Sequence, residues 1–418
     1  MSDKKPTISI VGSGVSGLVA ALVLEKHGYS PVIYEAAPEV GGRVRTDVVD
    51  GYQLDHGFQV LLSAYPMAKK YLDYAALDLQ KLAPGAVLFS EGKQHVLGDP
   101  LRNLSFLIPT LSSAMATISD KLRIVKLQRE LKKKSMDSVF NTPETTTMKY
   151  LKEKGFSQKV IRNFFTPFFS GIFLEPNLET SSRMFEFVYK MFGEGYAVLP
   201  KSGIGAIPKQ LESQLKTTKI QVRTAVKNVN GKEITLSNGT QIISDYVVVA
   251  AEASSIISNL KNQEVEWRSC DTLYFEVPKR VINKAIIGLI TDDNRLINNI
   301  FYHTTVETES KGTNELLSVT VVKSHQLSES ELQKRVVQEL AECCHITDAT
   351  FIKQYTIKKA LPKLKQLQGS MLPTETQLTE HVFLAGDQLL NGSLQAAMLS
   401  GERAALGVLG AISGTVSL

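Results

Sequence analysis

The stretch ISIVGSGVSG, residues 8–17, runs from a short apolar segment directly into a glycine-rich turn. The apolar segment is typical of a buried parallel β-strand, and the glycines allow backbone N–H groups to approach a pyrophosphate at the N-terminus of the next helix. Apolar residues at helical spacing follow, Gly28 suits the end of that helix, and residues 30–34 are typical of a second strand. Glu35 ends this strand, where a carboxylate can accept the hydroxyls of an adenosine ribose. The order of these features predicts a dinucleotide-binding unit.

The length and composition indicate a globular protein of two domains. The chain has 418 residues, of which 43% are hydrophobic and 21% charged, and this excludes wholesale disorder. Its net charge of +5 is too small to indicate a nucleic-acid partner. The three cysteines form no disulfide framework and the seven histidines lack metal-ligand spacing, so no metal site is predicted. No apolar run reaches the ~20 residues that span a bilayer, and we expect a cytoplasmic protein.

Two further motifs decide which dinucleotide is bound. Residues 39–46, EVGGRVRT, resemble the second fingerprint of the superfamily of flavin-containing amine oxidases, protoporphyrinogen oxidases and carotenoid (phytoene) desaturases. Residues 382–405, which contain VFLAGD, GSLQAA and SGERAA, resemble the C-terminal flavin motif of that superfamily. The three motifs in this order imply FAD rather than NAD as the cofactor. Because no cysteine lies near the C-terminal motif, we expect the FAD to be bound non-covalently.

The resemblance also implies a role for individual residues of the motifs. Gly41 and Gly42 would let the backbone pass close to the cofactor, and Arg43 would face its diphosphate, since a guanidinium matches phosphate oxygens. Asp387 would contact the ribityl and diphosphate region, and the following helix would direct its positive N-terminal end at the flavin. The residues expected to bind the cofactor are Gly12, Ser13, Gly14, Ser16, Gly17, Glu35, Gly42, Arg43, Gly57, Phe58, Val226, Gly386, Asp387, Ser393, Leu394 and Ala397.

The resemblance covers nearly the whole chain and implies an α/β fold. This fold would be a GR2-type FAD-binding Rossmann-like domain with an inserted α+β substrate domain. Residues 221–251 resemble the middle segment of the family, in which Val226 would reach the adenine through its backbone. The FAD-binding domain would comprise residues 1–70, 203–262 and 373–418, and the substrate domain residues 71–202 and 263–372.

The two parts of the substrate domain differ in their predicted secondary structure. The first part is expected to be largely helical, with helices at residues 122–134, 147–154 and 184–191. The second part is expected to be rich in strands, with strands at residues 272–277, 285–291, 299–305 and 316–322 and a helix at 330–343. Helices of one part would cover strands of the other, and the active site would lie at the junction of the two domains.

No catalytic residue is assigned from the sequence. In amine oxidases of this superfamily a strand lysine holds a water against the flavin, but the matching residues 267–275 contain no lysine. Ser393 stands where those enzymes have a tyrosine of an aromatic cage. His56 could accept a proton, although a turn histidine bonded to the backbone is the preferred interpretation. Lys358 and Lys359 could reach the cavity, but they are interpreted as solvated surface lysines.

Two other segments have alternative interpretations. Residues 164–174 are rich in phenylalanine and would form helix core, the lining of an apolar substrate cavity, or both. Residues 104–118 are apolar, and residues 121–134 carry seven basic side chains against one acidic one. These residues would form an interfacial helix that binds anionic lipid or, as the preferred interpretation, a core helix with a solvated basic face.

The sequence thus predicts an FAD-dependent oxidoreductase of the desaturase or oxidase type. The enzyme would move a hydride from an apolar or amphipathic small molecule to flavin N5. An amine oxidase is the first alternative, and a non-redox flavoprotein such as an isomerase is the second. The expected partner is a small-molecule substrate, with peripheral membrane contact left as an open alternative.

Overall fold

The computed structural model describes residues 5–98, 115–260 and 263–414. In chain order the strands of these residues are β1 (Ile8–Val11), β2 (Val32–Tyr34), β3 (Thr46–Val49), β4 (Tyr52–Asp55), β5 (Leu61–Leu62), β6 (Leu79–Lys81), β7 (Gly85–Ser90), β8 (Lys93–Gly98), β9 (Ala197–Pro200), β10 (Lys219–Gln221), β11 (Val226–Asn230), β12 (Glu233–Leu236), β13 (Gln241–Ile243), β14 (Tyr246–Val249), β15 (Trp267–Val277), β16 (Ile287–Ile290), β17 (Ile297–Tyr302), β18 (Glu315–Val321), β19 (Thr350–Pro362) and β20 (Val382–Leu384).

The helices are α1 (Val15–Lys26), α2 (Pro66–Tyr71), α3 (Ile118–Lys133), α4 (Met136–Phe140), α5 (Thr147–Glu153), α6 (Gln158–Val160), α7 (Thr166–Phe173), α8 (Ser182–Glu194), α9 (Ala206–Ser213), α10 (Glu329–Cys344) and α11 (Leu394–Ser413), and π-helical residues Ile161–Phe165 join α6 to α7. Six of these helices, α3 to α8, follow one another in the described residues between β8 and β9. The predicted helices at residues 122–134, 147–154, 184–191 and 330–343 correspond to α3, α5, α8 and α10.

A five-stranded parallel sheet is assembled from segments that lie far apart in the chain. Its order is β10-β2-β1-β14-β20, and β1 lies at the centre with all four residues buried. Helices α1 and α11 pack against one another beside this sheet. A Cβ atom on Gly401 of α11 would lie only 2.1 Å from the backbone oxygen of Ser16 in α1. The backbones of the two helices are therefore in direct contact at this point. The predicted α/β dinucleotide-binding fold is confirmed, whereas the domain boundaries stay a prediction.

A seven-stranded mixed sheet forms the second large layer, in the order β19-β15-β18-β17-β16-β7-β8. Strands β15 to β18 lie where strands were predicted, and β19 adds a long edge strand that was not predicted. Strands β7 and β8 come from the first part of the predicted substrate domain, so the interpretation of that part as largely helical was incomplete. They form a hairpin whose turn, Glu91-Gly92, has φ angles of 51° and 69°. Two positive φ angles are typical of a two-residue hairpin turn, but Glu-Gly is a weaker signal than Asn-Gly.

Three small antiparallel sheets complete the strand pairing of the described residues. Strands β3 and β4 form a hairpin, β11, β12 and β13 form a meander, and β9 pairs with both β5 and β6. The hairpin β3–β4 places Asp55 and the residues after it against the seven-stranded sheet, because the Tyr274 hydroxyl of β15 donates to the backbone oxygen of Asp55 at 2.8 Å.

The phenylalanine-rich segment divides between the two faces of α7 and the π-helical turn before it. Phe165, Phe169 and Phe173 are completely buried in the largest apolar core. Phe164 and Phe168 are half-buried, with ring centroids 5.4 Å apart, and they pack against the side of the seven-stranded sheet formed by β7 and β16. The core interpretation therefore holds for one face, and the second face adjoins the sheet.

Helix α3 combines a buried half with an exposed apolar start. Leu127 and Leu131 are 2% and 1% exposed, whereas Ile118 and Leu122 are 77% and 68% exposed. The neighbouring residues 99–114, which contain most of the apolar stretch noted in the sequence, lie outside the described residues. In the part of the chain that the structure describes, no helix is both long and apolar enough to cross a membrane.

Candidate cofactor and active site

The carboxyl ends of the five parallel strands meet at one edge of their sheet, which we call the carboxyl edge. Backbone hydrogen bonds of 2.9 Å join Gly12 N to Tyr34 O and Ala250 N to Val11 O, so the ends of β2, β1 and β14 lie side by side. Ala385 N likewise donates to Val249 O at 2.9 Å and brings the end of β20 to the same edge. Ligands of open parallel sheets bind outside this edge, where the loops between strands and helices converge.

The glycine turn after β1 has the shape of an anion-binding loop. Gly12 has a φ of +98°, and a Cβ atom there would lie 2.9 Å from Ala250 O, so only glycine fits. A Cβ atom on Gly17 would lie 2.0 Å from Gly12 O, because this glycine packs α1 onto the turn. A Cβ atom on Gly14 would meet no atom within 4 Å, and its position therefore faces open space.

The N-terminus of α1 has no side-chain cap, which favours the binding of an anion there. Its N-cap residue is Gly14. Because glycine has no side chain, it accepts no capping hydrogen bond from the N–H groups of the first turn. By contrast, α3 and α10 begin at capping boxes formed by Thr117 and Ser328. Ser16 is buried within this first turn of α1. An uncapped helix N-terminus that adjoins open space is suited to a phosphate.

Glu35 lies at the end of β2 directly beside this loop. Its Oε2 accepts hydrogen bonds of 2.7 Å from both the backbone N and the Oγ of Ser13, and its Oε1 accepts one of 2.8 Å from Ala37 N. A carboxylate has about four acceptor positions, so these three bonds leave capacity for a ligand hydroxyl. Glu35 is nearly buried, and its three hydrogen bonds organise the glycine turn at the end of β2. The internal role was not apparent from the sequence.

The second glycine motif contacts the first without intervening side chains. Gly41 N donates to Ser13 O at 3.0 Å, and Gly14 and Gly41 form a parallel bridge. Gly42 has a φ of +59°, and a Cβ atom on it would lie 3.4 Å from Gly14 Cα. The two glycine segments thus form a continuous backbone surface at the carboxyl edge.

Arg43 and Asp387 are separated by 344 positions in the chain and form an ion pair. Arg43 also donates to Ala360 O at 3.2 Å, and its guanidinium lies 5.0 Å from the centre of the Trp267 ring. The sequence motifs predicted both members of the ion pair, but not Trp267, since nothing local to β15 indicates a stacking partner for an arginine. This contact joins the carboxyl edge to the seven-stranded sheet.

The C-terminal motif places the start of α11 at the same edge. Gly386 has a φ of +149°, and its N–H donates to Ser400 Oγ at 2.9 Å. Ser393 is the N-cap of α11, where its hydroxyl accepts from Ala396 N at 3.1 Å and donates to Asn391 Oδ1 at 2.6 Å. The remaining predicted residues of this helix, Leu394 and Ala397, are half-buried in its first turn.

Gly57 and Phe58 lie at the boundary with the seven-stranded sheet rather than in the glycine loop. Gly57 has a φ of +94°, and a Cβ atom on it would be 3.2 Å from Ile357 Cδ1 and 4.0 Å from Thr272 Oγ1. The Phe58 ring packs against the ring of Phe301 at 5.0 Å. Val226 is the first residue of β11, and it packs against a smaller apolar core that includes Val11 and Tyr34 at the ends of β1 and β2.

His56 and the two lysines have surroundings that the sequence only partly indicated. His56 Nε2 lies 2.9 Å from Asp47 Oδ2, and the centroids of the His56 and Tyr355 rings are 4.4 Å apart. The histidine ring therefore pairs with a carboxylate, whereas a hydrogen bond to the backbone was expected. Burial would raise the pKa of Asp47, but contacts with His56 and Tyr355 outweigh it and hold that pKa below its usual value. Lys358 and Lys359 are exposed, and Lys359 pairs with Glu252.

One face of β15 connects these groups to the helical layer. Arg268, Cys270, Thr272 and Tyr274 share this face, because strand residues alternate. Arg268 Nη1 donates at 2.7 Å to both Phe173 O and Thr180 Oγ1. Burial raises the pKa of the Cys270 thiol to about 12, which makes it an inert side chain rather than a nucleophile.

The chain matches a known family over nearly its whole length. The sequence profile described as flavin containing amine oxidoreductase covers residues 15–409. The coproporphyrinogen III oxidase of Bacillus subtilis is 24% identical over 312 residues, which are 62% of this chain and 63% of that relative. The matched part thus spans less than two thirds of the relative's own length.

Solved structures of low sequence identity show the same fold. An oxidoreductase from Methanosarcina mazei superposes with a TM-score of 0.73 at 15% identity and covers 96% of this chain and 99% of that one. The CLA-producing fatty acid isomerase from P. acnes superposes with a TM-score of 0.70 at 15% identity and covers 96% and 98%. Because the family profile extends over nearly all of its residues, the protein belongs to the flavin containing amine oxidoreductase family.

Proposed function

We propose that the protein is an FAD-dependent oxidoreductase that oxidises an apolar or amphipathic small molecule. The observation that carries this proposal is the convergence of the uncapped α1, Glu35, and the Arg43–Asp387 pair at the carboxyl edge, directly against the seven-stranded sheet. FAD supplies a flavin that accepts a hydride at N5. The chain's own task is then to hold the cofactor, orient the donor and exclude water.

Different residues at the carboxyl edge fit successive parts of the FAD molecule. Open space at Gly14 and the free first turn of α1 suit the diphosphate, and the remaining acceptor position of Glu35 suits a ribose hydroxyl. Arg43 supplies a positive charge beside this loop, and Asp387 supplies an acceptor for ribityl hydroxyls. Cys343 and Cys344 lie in α10, and Cys270 is buried in β15, so the cysteines support non-covalent binding.

The substrate class is inferred from the surfaces between the seven-stranded sheet and α7. Phe164 and Phe168 present half-buried rings there, which favours an apolar part in the substrate. Asn299, Ser318 and Thr320 of the same sheet are buried and already bonded within the protein, since Asn299 Nδ2 donates to Thr320 Oγ1 at 3.3 Å and Ser318 Oγ donates to Phe301 O at 3.3 Å. The name of the Bacillus subtilis relative, coproporphyrinogen III oxidase, supports an amphipathic donor of this kind.

The test is anaerobic reduction of the flavin in the purified protein. Coproporphyrinogen III and a long-chain isoprenoid polyene in detergent serve as amphipathic and apolar donors, and benzylamine and putrescine serve as amines. We expect bleaching of the flavin by one of the first two and not by the amines. Bleaching by an amine with release of an aldehyde would establish the amine oxidase alternative, and a rearranged product without bleaching would establish the isomerase.

The cofactor assignment has its own measurement. The protein should purify with one FAD per chain, and acid or heat should release all of the yellow colour into the supernatant. Colour that stays with the denatured polypeptide would contradict non-covalent binding. One bound NAD per chain in place of FAD would contradict the cofactor itself.

We also propose that the start of α3 contacts an anionic membrane surface. Ile118 and Leu122 are strongly exposed and one helical turn apart, and exposed basic residues including Lys126 and Arg129 surround them. Apolar side chains within a basic surface match the interface of anionic lipids. The exposure of these two residues favours this interpretation over a helix that is only part of the core.

Vesicle flotation tests the contact. The protein should float with vesicles that contain a third phosphatidylglycerol and not with pure phosphatidylcholine, and Leu122→Asp should abolish flotation without lowering Tm. The matched control is Leu127→Val, a mild change on the buried side of the same helix, which should leave flotation unchanged. Equal flotation of the wild type and Leu122→Asp would disprove the proposal.

A further inference from the structure

Trp267 is the single tryptophan of the chain, and it lies where the seven-stranded sheet meets the carboxyl edge. It is the first residue of β15 and is half-buried. The centre of its ring lies 5.0 Å from the guanidinium carbon of Arg43. Its indole N–H donates to Glu252 Oε1 at 3.4 Å, and Glu252 follows the end of β14. The ring is therefore held between the end of a parallel strand and the arginine of the second glycine motif.

The three partners of Arg43 hold its side chain in different ways. Asp387 and the backbone oxygen of Ala360 accept hydrogen bonds from Nη2 and Nη1. Trp267 instead attracts the positive charge through the face of its ring, and this attraction requires no hydrogen bond. The Arg43 side chain is still 39% exposed, so part of the guanidinium is accessible to a ligand. Trp267 can thus fix the arginine without competing for the N–H groups that a phosphate would accept from.

The backbone of the arginine adjoins the diphosphate loop. A Cβ atom on Gly42, the preceding residue, would lie 3.4 Å from Gly14 Cα, and Gly14 is the N-cap of α1. A free arginine side chain has many rotamers, and fixing it costs conformational entropy. Asp387 is proposed to contact ribityl hydroxyls of FAD, whereas Trp267 has no such competing role. The indole ring is therefore the partner that can restrain Arg43 with and without the cofactor.

We propose that Trp267 is a positioning residue that holds the Arg43 guanidinium in place for the diphosphate of FAD. This inference rests on the proposed function. Trp267 acts through Arg43 in this scheme and contacts neither the phosphates nor the substrate. Because the arginine is restrained in advance, less freedom is lost when phosphate oxygens accept its hydrogen bonds. An aliphatic side chain would fill part of the same space but would not attract the charge.

Removal of the ring should weaken FAD binding, and another aromatic ring should restore it. Trp267→Leu retains an apolar side chain but loses the attraction for the cation, so the Kd for FAD should increase roughly 5- to 15-fold. Trp267→Phe retains an aromatic face and should keep the Kd within about threefold of the wild-type value. Titration followed by flavin fluorescence measures the Kd, and thermal unfolding verifies that each variant is folded.

A double-mutant cycle with Arg43→Met separates positioning from simple packing. In the Arg43→Met background, Trp267→Leu should change the Kd by less than about twofold, because no guanidinium is left to position. A tryptophan that only filled space would contribute equally in both backgrounds. The matched control is Tyr29→Leu, which removes a ring 5.7 Å from Lys5 Nζ, beyond the C-terminal end of α1. This control should leave the Kd for FAD unchanged.

The fluorescence of Trp267 gives a second measurement that does not depend on Trp267→Leu. Because the chain has a single tryptophan, its emission reports on this position alone. The emission of the FAD-free protein should change in Arg43→Met, since the ring loses its cationic neighbour. The emission of the wild-type protein should be quenched when FAD is added, since the flavin would then lie near the ring.

Four results would contradict parts of this scheme. A wild-type Kd in Trp267→Leu, or an equal loss of affinity with and without Arg43, would overturn the inference and leave the proposed function intact. Tryptophan emission that is unchanged by Arg43→Met, or by bound FAD, would overturn it as well. Failure of the wild-type protein to bind FAD at all would instead remove the proposed function.

Discussion

Glu35 shows how one side chain can serve the fold and the ligand at once. Its carboxylate accepts two hydrogen bonds from Ser13 and one from Ala37, which keeps the glycine turn in shape before any cofactor arrives. Ser13 is completely buried, so the loss of this acceptor would leave its N–H and hydroxyl without a partner. A substitution at this position is therefore expected to affect both stability and cofactor binding.

Glu35→Ala should lower the free energy of unfolding of the FAD-free protein by about 1–3 kcal/mol. It should also weaken FAD binding roughly ten- to a hundredfold, since a charged acceptor for the ribose is lost. Glu35→Gln retains an acceptor oxygen and should recover more of the stability than of the affinity. Urea unfolding and FAD titration distinguish the two effects, and a wild-type Kd in Glu35→Ala would show that Glu35 does not hold the ribose.

At the scale of elements, the contact between α1 and α11 determines how the C-terminal motif reaches the carboxyl edge. The two helices cross at backbone distance, with Gly401 facing the carbonyl of Ser16. The N-terminus of α11 is fixed by this crossing together with the cap at Ser393. Close helix packing is thus a condition for assembling a site from residues at opposite ends of the chain.

Gly401→Ala should destabilise the protein by about 3 kcal/mol or more, because the new Cβ would meet a backbone oxygen at 2.1 Å. The matched control is Gly193→Ala in α8, where the new Cβ would meet Gln128 Cγ at an ordinary 3.6 Å. That control should be neutral or stabilising by up to about 1 kcal/mol, since alanine favours helix. Urea unfolding of both variants measures the difference, and equal stability of the two would refute the packing argument.

At the scale of the whole molecule, two buried titratable groups lie where the hairpin β3–β4 meets the seven-stranded sheet. Asp55 accepts hydrogen bonds from Thr46 and Ile204 N, but burial outweighs them and raises its pKa to about 6. His303 contacts Ser318 Oγ at 3.0 Å, and burial lowers its pKa to about 4. Tyr274 lies between them, bonded to Asp55 O and packed beside the ring of His303.

These two groups should affect acid stability with opposite signs. The pKa of His303 is lowered by folding, so its contribution is complete above pH ~6.5 and is lost as the pH falls towards 4. The pKa of Asp55 is raised, so its contribution is complete below pH ~4 and is lost as the pH rises through about 6. Each amounts to at most about 3 kcal/mol.

Between pH 7 and 4, His303→Gln should therefore lose less stability than the wild type, and Asp55→Asn should lose more. Free energies of unfolding from urea titrations at several pH values provide the measurement. Parallel curves for the three proteins would show that neither group is perturbed by burial.

The sequence by itself determined the local elements and the family. The apolar strand before Gly12, the glycine turn and the periodic helices depend on neighbours a few residues apart, and the motifs around Arg43 and Asp387 are contiguous. These features can be predicted from the sequence because backbone sterics and hydrophobic spacing act over short distances in the chain. Strands β1 and β2 and most helices were predicted for this reason, whereas β14 and β20 were expected from the family resemblance. The strand expected from that resemblance at residues 221–226 was wrong, because β10 ends at Gln221 and β11 begins only at Val226.

Only the tertiary structure decided which distant residues meet. The pairing of Arg43 with Asp387, the stacking of Trp267, and the addition of β7 and β8 to the seven-stranded sheet depend on strand order, which residue spacing does not encode. The hydroxyl of Thr272, which has no hydrogen-bond partner among the described residues, is likewise buried only because strands β15, β18 and β19 and the Gly57 segment enclose it. Burial and partnership are properties of the assembled molecule, because they arise from contacts between segments hundreds of residues apart.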